Sequence, residues 1–117
     1  MSFDDVVARQ RAFAEARDWG RFHTPKNLVM ALTGEVGELN ELFQWLTPEQ
    51  AATAYADPAL RAQIDDELAD VLLYLVRLAD VVGADIIKAA QAKIDRNEIR
   101  FPADEYVSGL RRIPDPG

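Results

Sequence analysis

Two stretches of this chain place apolar residues at the spacing of an α-helix, which restricts the fold more than any other feature of the sequence. Apolar residues recur every three or four positions, as on one face of a helix. They are Leu28, Leu32, Leu39, Leu42 and Leu46 in the first stretch, and Leu60, Ile64, Val71, Leu75, Leu78 and Val82 in the second. No stretch alternates apolar and polar residues as a strand does. We therefore expect an all-α protein, built as a bundle of four helices.

Capping residues and prolines mark the ends of the four predicted helices. These helices run from Ser2 to about Asp18, from Pro25 to about Leu46, from Pro58 to Val82 and from Asp85 to Arg100. We expect a polar, alanine-rich connection between the second and third helices. The helices are expected to form one domain over residues 1–102, followed by an irregular tail over residues 103–117.

The composition excludes several kinds of site. Cysteine is absent and His23 is the only histidine, which excludes disulfides, thiolate metal sites and a ferritin-like di-iron centre. Twenty acidic residues against thirteen basic ones give a net charge of −7, which opposes binding to nucleic acid. The longest apolar run, Val71 to Val76, cannot span a membrane, and the N-terminus lacks the basic region of a signal peptide. We expect a soluble, cytoplasmic protein that binds neither nucleic acid nor a membrane.

Carboxylates interrupt both apolar faces. Glu35 falls inside the face of the second helix and Glu38 lies at its edge. Glu67 and Asp70 repeat this arrangement on the third helix, so the packing of the two helices would turn all four side chains toward the space between them. Ionised carboxylates there repel each other and lose hydration. Since neither face carries lysine or arginine, the expected counter-ion is Mg²⁺, with Mn²⁺ as the alternative.

A structural role is the alternative for each pair of carboxylates. Glutamates three residues apart are common on solvated helix faces, and basic residues of another helix could neutralise them. One such pair alone would favour that interpretation. Two matching pairs inside apolar faces favour a metal site.

Around these carboxylates the sequence resembles a known family. The motifs that carry the resemblance are Arg17-Asp18-Trp19, Phe22-His23-x-Pro25-x-Asn27-Leu28, Gly34-Glu35-Val36-Gly37-Glu38-Leu39, Phe43-Gln44-Trp45, Glu67-Leu68-Ala69-Asp70-Val71-Leu72 and Lys93-x-x-x-Asn97-x-x-Arg100-Phe101-Pro102. They are similar to the motifs of the MazG-type all-α nucleoside triphosphate pyrophosphohydrolases, and the two tryptophan motifs are typical of the dCTP pyrophosphatase branch. The resemblance extends from about Phe13 to Pro102.

The resemblance implies a reaction and a cofactor. Members of the family hydrolyse a nucleoside triphosphate between the α and β phosphorus atoms, with Mg²⁺ as cofactor, to give the monophosphate and pyrophosphate. The metal ligands and catalytic residues would be Glu35, Glu38, Glu67 and Asp70. This chemistry needs no protein nucleophile, so we expect direct attack by water, with one of the cluster glutamates as the base. The expected substrate is dCTP, and the expected role is sanitation of the nucleotide pool.

Polar residues of the last predicted helix share one face. Lys93, Asn97 and Arg100 recur at about one-turn spacing and could offer positive charge and an amide to phosphate oxygens. The alternative is a basic last turn that complements the helix dipole. The resemblance places Lys93 and Asn97 near the phosphates.

Aromatic residues near the carboxylates are candidates for the nucleoside end of a pocket. Trp19 and Trp45 are each either core residues or walls against the base, and Tyr74 either bonds to the sugar or packs. The resemblance places both tryptophans and His23 in the nucleotide pocket. Asn27 belongs to the same motif as His23 and is included among the predicted substrate-binding residues. For His23 we expect a pocket or capping role, not metal ligation.

Apolar residues also lie on the opposite side of the third predicted helix, at Leu72, Leu73 and Val76. A helix that is apolar nearly all round must be covered on both sides. We therefore expect a homo-oligomer, and the resemblance implies a tetramer built from dimers. The alternative is a monomer in which the first or fourth helix covers the second face.

Two other classes of function stay open. In a helical interaction scaffold the carboxylates would only form salt bridges, with no dependence on divalent ions. A metal-buffering or redox bundle would bind metal without cleaving nucleotides, although the absence of Glu-x-x-His motifs is against it. Among hydrolases, the alternative is the same reaction on dUTP or a 5-modified dCTP, because one hydrogen bond in the pocket can change base preference strongly.

Overall fold

The computed structural model describes residues 1–107, and these form helices joined by short connections, without a strand. The helices are α1 (Phe3–Ala16), α2 (Pro25–Phe43), α3 (Pro48–Thr53), α4 (Pro58–Val82), α5 (Ile86–Arg100) and α6 (Ala103–Val107), with a 3₁₀ turn at Ala54–Ala56. The predicted all-α class is confirmed. No helix in this part of the chain is both long and apolar enough to cross a bilayer.

The predicted helix starts are confirmed by their capping hydrogen bonds. The Ser2 side chain accepts from the backbone of α1 in a capping box, and Thr24 accepts from the first turn of α2. Asp57 and Asp85 do the same for α4 and α5. Each bond satisfies a backbone N–H that has no partner inside the helix. Gly83 ends α4 in the left-handed region, at φ 78°, where glycine is favoured.

The structure differs from the predicted elements at two helix ends and in two short segments. α1 ends at Ala16 instead of near Asp18, and α2 ends at Phe43 instead of near Leu46. The expected polar, alanine-rich connection contains α3, because Thr47 both follows one helix and caps the next: its side chain and that of Gln50 form a second capping box. The start of the predicted irregular tail is helical, as α6, while residues 108–117 lie outside the described part of the chain.

The chain divides into two compact units, with the boundary between Ala84 and Asp85. In the first unit, α2 packs along α4, and α1 also lies against α4. The core of this unit is small and consists of Ala14, Leu28, Ala54, Ile64, Val76 and Ala79. The described part of the second unit contains α5 and α6, where the rings of Phe101 and Tyr106 meet edge to face with their centroids 5.7 Å apart. The predicted single domain over residues 1–102 stays a prediction.

The apolar faces of α4 are used differently from the prediction. Val76, expected on the second face, is only 2% exposed, whereas Leu75 and Val82 of the predicted core face are 36% and 55% exposed. The reason is the position of α1. The side chain of Gln10 donates to the backbone carbonyl of Leu73, one turn before Val76. Arg11 pairs with Asp80, one turn after Val76. These two contacts place α1 along the face of α4 that carries Val76.

We expect the substitutions Val76→Ala and Val82→Ala to differ in their effect on stability. Val76→Ala removes buried methyl groups and should lower the free energy of unfolding by about 1–2.5 kcal/mol. Val82→Ala, the same change at the exposed end of the same helix, should change it by less than about 0.5 kcal/mol. Urea denaturation at one protein concentration measures both values. Equal losses, or a larger loss for Val82→Ala, would contradict this assignment of the core.

Candidate active site

Four carboxylates converge between α2 and α4. One oxygen from each of Glu35, Glu38, Glu67 and Asp70 lies within 4.8 Å of the others. Their helices bring them together, since α2 and α4 pack side by side and each helix presents its pair on the shared seam. The predicted convergence of these side chains is confirmed. Their role as metal ligands and catalytic residues stays a prediction.

Two oxygens of this carboxylate cluster are buried without a hydrogen-bond partner, namely Oε2 of Glu35 and Oε2 of Glu67. Burial raises the pKa of Glu35 to about 7, and a hydrogen bond to Glu38 and the charges of the other carboxylates add to this effect. Burial also raises the pKa of Glu67, again with a contribution from Glu38. Glu38 itself is exposed. The seam therefore holds negative charge that the protein does not fully compensate.

The surroundings of the carboxylate cluster disfavour the salt-bridge alternative. Among residues 1–107, the ion pairs of Arg11, Arg21 and Arg77 go to Asp18 and Asp80, not to the cluster. The cluster offers only carboxylate oxygens, which hard divalent cations prefer over the nitrogen and sulfur ligands of zinc sites. A divalent cation would also give the two orphaned oxygens a partner. The residues present therefore fit such an ion.

The turn after α1 brings the rings of Phe13, Trp19 and His23 together. Asp18 adopts the left-handed conformation, at φ 54°, and the backbone N–H of Trp19 donates to the carbonyl of Ala14 at 3.0 Å. This reversal places the Trp19 ring edge to face with Phe13, with centroids 5.4 Å apart. The His23 ring follows, with its centroid 6.1 Å from that of Trp19.

These rings line a pocket of about 420 Å³ between α1, the turn and α4. Its size is in the range of small-molecule sites. The lining residues are Met1, Val6, Arg9, Gln10, Phe13, Ala14, Trp19, His23, Asp70, Leu73 and Tyr74. Most of this wall is apolar, but Asp70 belongs both to the wall and to the carboxylate cluster. The pocket therefore adjoins the cluster through one shared side chain.

The structure brings three of the predicted nucleoside-binding residues into one wall: Trp19, His23 and Tyr74. Within the described chain, Trp45 and Asn27 are not part of that wall. Trp45 is 86% exposed. The side-chain amide of Asn27 donates to the backbone carbonyl of Phe22 at 3.1 Å, which supports the turn before α2.

The predicted phosphate-binding residues lie on α5, in the second unit. Lys93 and Arg100 are exposed and Asn97 is half-buried. The guanidinium of Arg100 lies over the ring of Phe101, 4.9 Å from its centroid. Their contact with phosphate stays a prediction.

Residues of α1 form a large part of the pocket wall that the sequence interpretation missed. Gln10 and Phe13 are the clearest cases, because their spacing along α1 indicated only a face that packs on the core. A signal was available for Gln10. It is a polar residue inside an apolar helical face, the same anomaly that identified Glu35.

A family comparison agrees with this geometry. The model of the MazG-like family matches residues 31–108, a range that includes all four residues of the carboxylate cluster. The chain belongs to the MazG-like family. The resemblance predicted from the motifs is thereby confirmed, and the all-α class agrees with it.

Curated and solved relatives extend the likeness of this MazG-like chain. It is 45% identical over 111 residues to human dCTP pyrophosphatase 1, covering 95% of this chain and 65% of that protein. The bovine dCTP pyrophosphatase 1 is 44% identical over 101 residues, covering 86% and 60%. The chain thus spans less than two thirds of either relative. A crystal structure of a pyrophosphatase from Archaeoglobus fulgidus is 34% identical, with a TM-score of 0.79 over 85% of this chain and 91% of that one.

We expect the raised pKa of Glu35 to appear as a pH-dependent stability of the metal-free protein. Its folded pKa of about 7 lies above 4.5, the ordinary pKa of a glutamate, so the folded state binds a proton that the unfolded state has lost between these values. Stability should therefore fall as the pH rises from about 5 to 8. In chelator, the melting temperature of wild type should drop over this range more steeply than that of Glu35→Gln.

The control for this comparison is Glu41→Gln, which changes an exposed carboxylate further along α2 and should keep the wild-type slope. Burial lowers the pKa of His23, assisted by the charge of Arg77, but this contribution is common to all three proteins and cancels. Parallel melting curves for wild type and Glu35→Gln across this pH range would contradict the assigned pKa.

Proposed function

We propose that this chain is a Mg²⁺-dependent nucleoside triphosphate pyrophosphohydrolase that converts dCTP and water to dCMP and pyrophosphate. One observation carries the proposal: an uncompensated carboxylate cluster adjoins an aromatic pocket and shares Asp70 with it. The cluster suits the phosphate end of a nucleotide and the pocket suits its nucleoside end. The named activity of the relatives, dCTP pyrophosphatase, is the reason for choosing dCTP.

Glu35, Glu38, Glu67 and Asp70 would hold the magnesium ion, which when bound neutralises phosphate oxygens and polarises the phosphorus. A triphosphate approaching a chain of net charge −7 needs such neutralisation. Mn²⁺ is the alternative ion, since it prefers the same oxygen ligands.

The reaction needs a water nucleophile and a base near the α-phosphorus. Water attacks that phosphorus, the bond to the oxygen that bridges to the β-phosphorus breaks, and pyrophosphate leaves with the bonding electron pair. One of the cluster carboxylates accepts the proton of the attacking water. Cysteine is absent from the chain, and the described pocket wall contains no serine or threonine, which is consistent with direct hydrolysis.

The nucleoside end of the substrate is assigned to Trp19, His23 and Tyr74. The rings of Trp19 and His23 would contact the base. Tyr74 lies one turn after Asp70 on α4, where the sugar would lie between the base and the phosphates. Lys93, Asn97 and Arg100 are proposed as phosphate partners. Asn27 and Trp45 are also proposed as substrate-binding residues, supported by the motifs that contain them.

A homotetramer built from dimers is the proposed assembly, in the cytoplasm. Large apolar side chains outside the pocket are exposed on this chain, among them Met30, Trp45, Leu68, Leu72 and Val82. Apolar surface of this kind is typical of an interface between subunits. Cover from a neighbouring subunit would give the exposed Trp45 an environment in which an indole can stack. Light scattering of the purified protein checks the molar mass, and a monomer would contradict this assembly.

The function is tested by product analysis with a panel of ribo- and deoxynucleoside triphosphates, each with Mg²⁺ and with chelator. We expect monophosphate and pyrophosphate, formed fastest from dCTP and abolished by chelator. Faster cleavage of dUTP or a 5-modified dCTP would replace the substrate but keep the reaction. If no nucleotide is cleaved, the proposal fails and a scaffold or metal-buffering role takes its place.

We expect Glu38→Gln to fold and to lose activity. The change keeps the shape of the side chain and relieves repulsion in the carboxylate cluster, but it removes a ligand charge. Loss of outer-shell partners of a metal already costs about 10–100-fold, so kcat/KM should fall by at least about 100-fold. Glu41→Gln, on the same helix and exposed, is the matched control. Wild-type activity in a folded Glu38→Gln protein would remove Glu38 from the site.

A further inference from the structure

Arg77 is a charged side chain buried inside the first unit, with only 8% of its surface exposed. A buried guanidinium is costly unless its donors are satisfied. Its Nη1 donates to Oδ2 of Asp80 at 3.2 Å, and Asp80 also receives two hydrogen bonds from Arg11 of α1. The carboxylate of Asp80 thus accepts hydrogen bonds from both arginines. These contacts hold the side chain of Arg77 in place on α4.

A second contact of Arg77 is with the imidazole of His23. Nε of Arg77 donates to Nδ1 of His23 at 3.0 Å. A guanidinium has only donors, so Nδ1 must be the unprotonated, accepting nitrogen of the ring. In the neutral ring the proton then lies on Nε2. The partner of one ring nitrogen decides what the other nitrogen offers.

His23 lines the pocket, so its tautomer determines what that wall offers to a ligand. With Nδ1 bonded to Arg77, the nitrogen left for a ligand is a hydrogen-bond donor. Without Arg77, the ring could exchange tautomers and present an acceptor instead. Burial and the charge of Arg77 also lower the pKa of His23, which keeps the ring neutral.

We propose that Arg77 is a positioning residue that holds His23 in the Nε2–H tautomer, so that the pocket donates one hydrogen bond to an acceptor on the edge of a nucleobase. The inference rests on the proposed function for the identity of the ligand. The bases that fit carry a ring carbonyl or an unprotonated ring nitrogen, as pyrimidines do. Arg77 acts through His23 and touches neither the base nor the phosphates.

The tautomer can be measured directly because His23 is the only histidine in the chain. In protein labelled with ¹⁵N-histidine, a long-range ¹H–¹⁵N correlation spectrum reports a single ring. We expect an unprotonated Nδ1 and a protonated Nε2 in wild type at neutral pH. A protonated Nδ1 would overturn the proposal without any variant.

The variant that tests the role of Arg77 is Arg77→Met, which keeps much of the apolar stem and removes every donor. Its nitrogen shifts should move toward those of a ring that exchanges between tautomers. The matched control is Arg61→Met, on the same helix, whose exposed guanidinium contacts Tyr55. Wild-type nitrogen shifts in a folded Arg77→Met protein would overturn the positioning role. If that variant does not fold, the wild-type spectrum still decides the tautomer.

Kinetics with dCTP and Mg²⁺ test the consequence for recognition. One weakened neutral hydrogen bond is worth about 0.5–1.5 kcal/mol, which corresponds to a rise in KM of about 2- to 13-fold. Since the carboxylate cluster is untouched, kcat should stay within about twofold. An unchanged KM together with altered nitrogen shifts would overturn the recognition step. An inactive wild type would instead end the proposed function, while its spectrum would still report whether Arg77 sets the tautomer.

Discussion

The packing of α2 against α4 is the interaction on which the rest of the structure depends. Apolar side chains such as Leu28 and Ile64 hold the two helices together, and the same register brings Glu35 and Glu67 to face each other. Burial of hydrophobic surface therefore works against electrostatic repulsion along one seam. The carboxylate cluster that could hold a cation arises from this opposition, because the helices cannot separate the carboxylates without giving up their core.

The pocket is built on this seam by α1 and the turn that follows it. Ala14, a small buried residue, lets the chain reverse closely, and Asp18 in the left-handed conformation completes the reversal. The reversal is what places the Trp19 ring edge to face with the rings of both Phe13 and His23. The arginine network through Asp80 then ties α1, the turn and α4 together. Packing of α2 against α4 thus supplies the carboxylate cluster, and α1 supplies much of the pocket wall.

Sequence reasoning found what depends on short-range periodicity and missed what depends on the docking of α1. The convergence of Glu35 and Glu67 follows from spacing within each helix, and the helix starts follow from local capping chemistry. Which face of α4 is buried does not, because the buried Val76 lies between Leu73 and Asp80, the two residues of α4 that bond to side chains of α1. The positions of Gln10 and of the buried Arg77 also depend on contacts between distant parts of the chain. Arg77 pairs with Asp80 on its own helix, but its hydrogen bond to His23 joins α4 to the turn after α1.

Asp70 is shared between the pocket wall and the carboxylate cluster, and this has a thermodynamic consequence. A ligand in either place would act on the charge of a side chain that the other place also uses. The two affinities are then linked by a single coupling free energy, which must be the same in both directions. Whatever a bound cation would contribute to holding a ligand in the pocket, that ligand would contribute equally to holding the cation. Asp70 would therefore link the occupancy of the pocket to that of the carboxylate cluster.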